Sequence, residues 1–294
     1  MCQKGLVPAK HKGRGITGIG DLKLEFQTAF ITTSDKTTQT IRETIQMLNQ
    51  KYTTHAKRVP VMPEVVSIDH LAQDITDLSK VPIGVNFDSK FSELFDFLKE
   101  KVVIMSSNTM SENQNFFFSL FNIFKRIPKT KARVLDPGKS YDTAKIPVEC
   151  YTDNFNAIIP ALVDEMQKDS DIKRIYVING ASRLKDKLDE KTLALYEQFL
   201  RSLKDNEQTI LLMIDNSSGF NKLQIETWFD EVVNKNRGIW IGEGIAEQMV
   251  FDTPRLDPEI KQAAFEDMAF VITEEAVIPF KKVVEEKGDG NNEK

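Results

Sequence analysis

Two cysteines, Cys2 and Cys150, are all the sulfur nucleophiles in 294 residues. With no signal peptide ahead of them they read as reduced thiols in the cytoplasm, and no disulfide framework is expected. Histidine is equally scarce. His11, His55 and His70 stand far apart with no C-x-x-C beside them, so no metal ligands are assigned. No apolar run approaches the ~20 residues of a membrane span, and an anchor, if the protein works at a membrane, is expected outside this chain. Positive charge is not in excess either: 39 basic residues against 44 acidic ones leave a net charge of -5. Apart from a short cluster at 4–14 there is no basic block, which argues against a surface that grips nucleic acid.

What is present is enough apolar material, 40% of the chain, to build one large α/β domain or two small ones. Residues 1–33 read as glycine-punctuated strands, a hairpin that needs a partner to bury a face. Ser34 suits an N-cap, and Ile41, Ile45 and Leu48 then mark one face of a helix reaching about Tyr52. The stretch 53–82, with Pro60, Pro63 and Pro82, reads as a semi-rigid linker with a helical turn at 68–75, and the domain boundary is placed there.

From 83 onward strands and helices alternate. Strands are expected at 83–87, 102–106, 132–135, 146–151, 174–178, 209–214 and 238–241, and helices at 113–125, 155–167, 192–204 and 223–229. Phe91, Leu94, Phe95 and Leu98 recur at near-helical spacing, and 269–273 with 276–282 form a closing hairpin. Such alternation predicts a doubly wound, mainly parallel sheet whose ligands bind at the carboxyl ends of its strands. The tail, 287–294, is rich in glycine and charge and is expected to be disordered.

Function is concentrated after the strand at 102–106. Ser106, Ser107, Asn108, Thr109, Met110, Ser111, Glu112 and Asn113 lead into a phenylalanine-rich helix, the strand-loop-helix frame of a phosphate-binding loop. In the working form, G-x-x-x-x-G-K-[ST], glycines let backbone N–H groups close on the phosphates, the lysine holds their oxygens and the hydroxyl binds Mg²⁺. Here Ser106 and Ser111 take the glycine places, Glu112 the lysine and Asn113 the hydroxyl. A carboxylate ~4 Å from a phosphate oxygen is repelled by roughly 4 kcal/mol at an effective dielectric near 20.

The second strand of such a site should end in acids that hold the metal and position water. Asn179 and Gly180 stand there instead. Asp215 and Asn216 end the neighbouring strand, where a residue sensing the γ-phosphate belongs; the same residues also read as an ordinary turn. The bland alternative for the whole region is a plain strand-to-helix connection in an α/β domain. Gly242-Glu243-Gly244 is a lone G-x-G and reads as a turn, and the phenylalanines after the loop read as core. No residue is assigned a catalytic role.

The order of landmarks carries more than any one of them. Gly13-Arg14-Gly15 with Glu25-Phe26-Gln27, Val59-Pro60-Val61-Met62-Pro63, Val81-Pro82-Ile83-Gly84-Val85, the strand-loop-helix frame and Arg237-Gly238-Ile239-Trp240-Ile241-Gly242-Glu243-Gly244-Ile245-Ala246-Glu247-Gln248 together resemble the FtsK/SpoIIIE-type tandem ATPases. More narrowly, they resemble the carboxyl end of the EssC/YukBA motors of type VIIb secretion. The resemblance implies a RecA-like P-loop NTPase fold over 83–286. It makes 1–82 the closing strands of a preceding ATPase module plus a connector.

It further implies a cytoplasmic module of a membrane-anchored, multi-module coupling ATPase, hexameric as a whole. That motor contacts adjacent ATPase modules and other secretion-system membrane components, and exports small helical-hairpin WxG-class proteins. Terminal modules of the family often have degraded nucleotide motifs. The departures at Glu112, Asn179 and Gly180 then imply weak binding of ATP and Mg²⁺ at most, with substrate docking and regulation as the contribution. Two other readings stay open: an active ATPase completed by a neighbouring module or protomer, and a DNA translocase module, which the charge disfavours.

Overall fold

The computed structural model describes residues 14–19, 22–28, 37–52, 60–109, 114–168, 171–262 and 267–284. The chain divides into two compact units between Val59 and Pro60. Ser34, the cysteine at position 2, the loop residues Met110, Ser111, Glu112 and Asn113, and the tail at 287–294 lie outside the described residues.

In the first unit, β1 (Arg14–Ile19) and β2 (Leu22–Gln27) pair antiparallel with Arg14 opposite Gln27. A Cβ on Gly15 would lie 2.6 Å from the Phe26 ring across the hairpin, so the glycine is what admits that ring. Helix α1 (Thr37–Lys51) follows, with Ile45 and Leu48 of its expected apolar face exposed by about half.

The second unit opens with α2 (Ile68–Leu71) and a 3-10 turn at Ala72–Asp74. Val66, Ile68, Leu71 and Leu78 are buried in the main core, and Val66 O accepts from Val284 N at 2.9 Å. The stretch read as a linker thus falls on both sides of the division, and its 60–82 half is packed into the second unit. Pro60 and Pro63 have no N–H to give a ladder, and the apolar side chains of Val66, Ile68 and Leu71 that follow them are buried instead.

The elements that follow are β3 (Val81–Asn86), β4 (Ser92–Phe95), β5 (Val102–Ser107), α3 (Gln114–Arg126), β6 (Thr130–Leu135), β7 (Glu149–Tyr151), α4 (Phe155–Met166) and β8 (Lys173–Asn179). Next come α5 (Ala181–Lys185), α6 (Glu190–Ser202), β9 (Thr209–Asn216), α7 (Ser217–Leu223), α8 (Phe229–Val232), β10 (Gly238–Ile241), α9 (Pro258–Gln262), β11 (Met268–Ile272) and β12 (Val277–Lys282). They make one ten-stranded sheet in the order β4-β3-β12-β11-β10-β5-β9-β8-β6-β7. From β10 to β7 every neighbour is parallel, and from β4 to β10 every neighbour is antiparallel.

Strand β5 sits inside the parallel half and is buried along its whole length. Val103 and Met105 point to one face, where α3 packs Phe116, Phe117, Phe121 and Phe124 against the sheet. Val102 and Ile104 point to the other, toward α4, α6 and α7. A strand covered on both faces has to be apolar at every position, which is why this one reads as a run and not an alternation. The α3 phenylalanines are core, as expected. No helix among the described residues is long and apolar enough to cross a membrane.

Three expectations are corrected. The near-helical spacing at 91–98 is not a helix: Ser92–Phe95 is the short strand β4 and 97–99 a bend, with Phe95 and Phe97 buried while Phe91 is 67% exposed. The strand expected at 146–151 is only Glu149–Tyr151, because Pro147 has no N–H to give a ladder. The helix expected at 223–229 begins earlier, at Ser217, and has ended by Leu223, with α8 following after a turn. Asn216 is the reason: its side chain accepts from Gly219 N at 2.7 Å and starts the helix where the sequence showed a turn.

Candidate functional site

The parallel strands β5, β9, β8 and β6 end side by side, and the residues just past their carboxyl ends meet around one cleft of ≈ 380 Å³. Its lining joins Asn108 and Thr109 from the loop after β5, Asn179 from β8 and Asn216 from β9, with Gln114, Ser140, Tyr141 and Arg183. Residues expected at three stations of a nucleotide site are therefore brought together. Ser106 and Ser107 lie below them as the last residues of β5, buried. Gly180 supplies a left-handed turn, φ +87°, that sends the chain from β8 into α5.

Asn108 ties the cleft's rim. Its Nδ2 donates to Glu243 O at 3.3 Å and its Oδ1 accepts from Ser217 Oγ at 3.2 Å, joining the loops after β10 and β9. A Cβ on Gly244 would lie 2.1 Å from Asn108 Nδ2, and Gly242 and Gly244 both have positive φ. The G-x-G is a structural turn that receives Asn108. Gln114, at the start of α3, donates to Ser140 O at 2.9 Å and fastens the helix to the turn after β6.

Two carboxylates lie at this edge, and both are engaged. Asp215 is 6% exposed; its Oδ2 accepts from Ser182 N and Ser182 Oγ, each at 2.8 Å, and its Oδ1 from Asn216 N at 2.8 Å. It holds the first turn of α5 against β9. Asp136, just past β6, has no exposed surface; its Oδ2 accepts from Tyr141 N at 2.9 Å and its Oδ1 from Asn179 Nδ2 at 3.0 Å. Burial first, and then the negative charge of Asp136, push the Tyr141 phenol well above its usual range. The same two causes push the Cys150 thiol up to about 11.

Positive charge comes from one place only among the cleft's lining residues. Arg183, on α5, is exposed and takes no hydrogen bond or ion pair among the described residues. Its neighbours on that helix and turn are occupied, Lys185 with Glu226 and Lys187 Nζ with Pro137 O at 2.6 Å. The sequence reading missed Asp136, Ser140, Tyr141 and Arg183. The signal for Asp136 is an acid directly after a buried parallel strand, masked by the turn-forming sequence Asp-Pro-Gly. Arg183 was legible only once Gly180 was known to begin a helix.

A loop strand flanked by β10 and β9, with β9 inserted between it and the strand bearing Asn179, gives this unit a RecA-like α/β arrangement. The fold is similar to that of solved ATPase modules of type VII secretion motors. The cytoplasmic domain of EssC superposes with a TM-score of 0.66 at 11% identity, covering 96% of this chain and 61% of that one. EssC ATPases 2 and 3 from Geobacillus thermodenitrificans give 0.63 at 13% identity, covering 93% of this chain and 56% of that one. Thermomonospora curvata EccC ATPases 2 and 3, in complex with a signal sequence peptide, give 0.58 at 14% identity, over 96% and 55%. The chain thus spans less than two thirds of the length of each of these three structures. No family model and no curated protein matches the sequence.

Proposed function

We propose that this chain is the carboxyl-terminal RecA-like module of a type VII secretion motor, with a degenerate nucleotide site and a role in substrate docking and regulation of export. Residues 1–82 are then the end of a preceding module and its connector, whose 60–82 part packs onto the module at 83–286. The observation that carries the reading is the cleft's composition: amides at three stations, one guanidinium, and two acids already bound to the protein. Mg²⁺ at a nucleotide is held by one or two open carboxylates, and a triphosphate needs more than one cation. The described lining has hydroxyls at Thr109, Ser140 and Tyr141 but neither an open carboxylate nor a second cation.

Docking is supported by a second feature. Ile225 and Met249 are 82% and 78% exposed, and Gln224 Nε2 donates to Met249 O at 3.0 Å, so the two loops that carry them are joined. Large apolar side chains held out on fixed loops suit an apolar stripe of a helical-hairpin WxG-class substrate. The parent motor is membrane-anchored and hexameric on this reading, with adjacent ATPase modules and membrane components as its other partners.

Calorimetry with ATP and Mg²⁺ tests the reading. Affinity is expected to be weaker than about 100 μM, roughly -5.5 kcal/mol, with no steady phosphate release. Tight binding with turnover by the purified chain would overturn it. One observation favours a second reading, an ATPase completed across an interface: Arg183 stands unpaired at the cleft, as a charge supplied toward phosphate would. Activity that appears only on oligomerisation and vanishes with Arg183→Ala would select that reading.

A further inference from the structure

The cleft keeps a binding apparatus that the degenerate motifs do not account for, and it centres on Arg183. The αL turn at Gly180 and the short helix behind it carry Arg183 toward the turn after β6. Gly138 faces it there. A Cβ at position 138 would lie 2.6 Å from Arg183 Nη1 and 3.0 Å from Ser140 Oγ, so the absence of a side chain at 138 is what lets guanidinium and hydroxyl stand together. Asn216 adds a side-chain amide whose oxygen is spent on Gly219 N, which leaves its Nδ2 as a donor on the cleft side. The result is a guanidinium fork, a hydroxyl and an amide N–H lining one polar cavity.

The charge balance says what such a cavity takes. Arg183 is the only cation among the described lining residues, and the buried carboxylates of Asp136 and Asp215 are each held by neutral N–H and O–H donors. A ligand group with one negative charge pairs with that guanidinium, and each further charge would find no second cation among the described lining residues. A planar carboxylate fits the two parallel N–H groups of a guanidinium.

We infer that the cleft bounded by Arg183, Ser140 and Asn216 is a binding site for a single carboxylate group, presented by a peptide, and that Arg183 is its anchor. This rests on the cleft assignment above and names the ligand that replaces a nucleotide there. The carboxylate can come from an acidic side chain or from a chain terminus. The lining is the same for both, and experiment separates them.

The test is a titration of the full, ¹⁵N-labelled chain, following the Arg183 Nε–H and the backbone amides of Asn179, Ser182 and Asn216. The probes are Ac-Ala-Glu-Ala-NH₂, Ac-Ala-Ala-Ala-OH, their uncharged Gln and amidated counterparts, inorganic phosphate, and ATP with Mg²⁺. Saturable shifts are expected with one or both carboxylate peptides and not with the uncharged ones, and whichever responds identifies the source. Arg183→Gln should weaken binding at least about tenfold with the fold intact by circular dichroism, while Arg183→Lys, keeping charge but not the fork, falls between. Gly138→Ala, which pushes the guanidinium aside, should weaken it as well.

No saturable response to either peptide, unchanged affinity in Arg183→Gln, or tighter binding of phosphate or ATP than of the peptides would overturn the inference. Silence from the peptides with no ATP turnover would sink this inference alone. Carboxylate binding alongside steady ATP turnover would sink the degenerate-site reading and leave this inference standing.

Discussion

Asn179 donates from Nδ2 to Oδ1 of the fully buried Asp136 at 3.0 Å, across the adjacent strands β8 and β6. On the proposed degenerate-site reading Asn179 stands where a metal-binding acid is expected, and it is the neutral partner of an acid one strand over. On that reading an acid introduced at 179 would not restore a metal site. Asn179→Asp would set two buried carboxylates in contact, and one of them would have to take up a proton. The variant should lose about 2–4 kcal/mol of stability at pH 7 and gain no ATPase activity. The shared proton raises the folded-state pKa of the pair above the unfolded value, so the loss should shrink as pH falls toward 4. Urea denaturation across that range checks it; a variant as stable as the parent at pH 7 would count against the pairing.

The Asp215 contacts make a second prediction. A Cβ on Gly219 would lie 2.1 Å from Asp215 Oδ1, closer than any real contact allows. In an exposed helix, Gly→Ala stabilises; here it should destabilise, by about 1–3 kcal/mol, because the carboxylate must leave Ser182 N and Asn216 N unpaired in a buried site. Thermal unfolding of Gly219→Ala, beside Asp215→Asn as a milder loss, gives the sign directly.

Much of this architecture was legible before any coordinates. The buried parallel strands announced themselves as short runs of Val, Ile, Leu and Met, and the helices between them by spacing, so the doubly wound sheet and the position of the loop after β5 followed from pattern alone. Asn108, Thr109, Asn179, Asn216 and Asp215 lie at or just past the carboxyl ends of β5, β8 and β9, where pattern puts them. What pattern could not give was pairing across the chain. Asp136 and Asn179 are 43 residues apart in sequence, and Asn108 meets Glu243 at a separation of 135. Neither contact leaves a local trace. Side-chain capping by Asn216 also outweighed the turn propensity of Asp-Asn-Ser-Ser-Gly and moved a helix by six residues from its expected start at 223 to Ser217.

Cys150 offers a reading of the same buried charge. Burial, with Asp136 behind it, holds its thiol up to about 11, so the thiolate is a small fraction at neutral pH. Alkylation of Cys150 by iodoacetamide, in a Cys2→Ser background, should be slow at pH 7 and rise with pH without levelling off below 10. In Asp136→Asn the curve should move to lower pH, since burial remains but the charge is gone. A plateau near pH 9 in the parent chain would contradict the placement of that thiol.

At the outer edge of the parallel half, Arg133 is 9% exposed and is held by Glu149 at 2.6 Å and by Glu165. Burial disfavours its charge, but these two carboxylates more than offset that and leave it raised. Glu149 is correspondingly depressed, chiefly by its hydrogen bond from Arg133. A carboxylate lowered on folding adds stability above its unfolded pKa and loses it as pH falls through the folded one. Glu149→Gln should therefore be less stable than the parent at pH 7, with the gap closing below about pH 4. Half of the Glu149 side chain is exposed, so salt should narrow the gap too. A gap that widens on acidification would show that the ion pair is not its origin.

The docking surface makes the last prediction, and it separates function from stability. Ile225, 82% exposed, buries little apolar area in this unit. Ile225→Asp should change stability by no more than about 0.5 kcal/mol, as for surface positions without special contacts. On the proposed function, the same change places a charge where an apolar stripe of a helical-hairpin WxG-class substrate would lie. Binding of such a substrate, measured by fluorescence anisotropy, should weaken about tenfold or more, the cost of ~1.4 kcal/mol expected when a contact at the centre of a small apolar interface is removed. Met249→Asp, on the loop tied to it through Gln224, should act in the same direction, while Phe91→Asp, at the exposed residue just before β4, should leave binding unchanged. Equal loss at all three positions would mean that added negative charge alone is repelling the substrate, and the Ile225 and Met249 face would no longer be its dock.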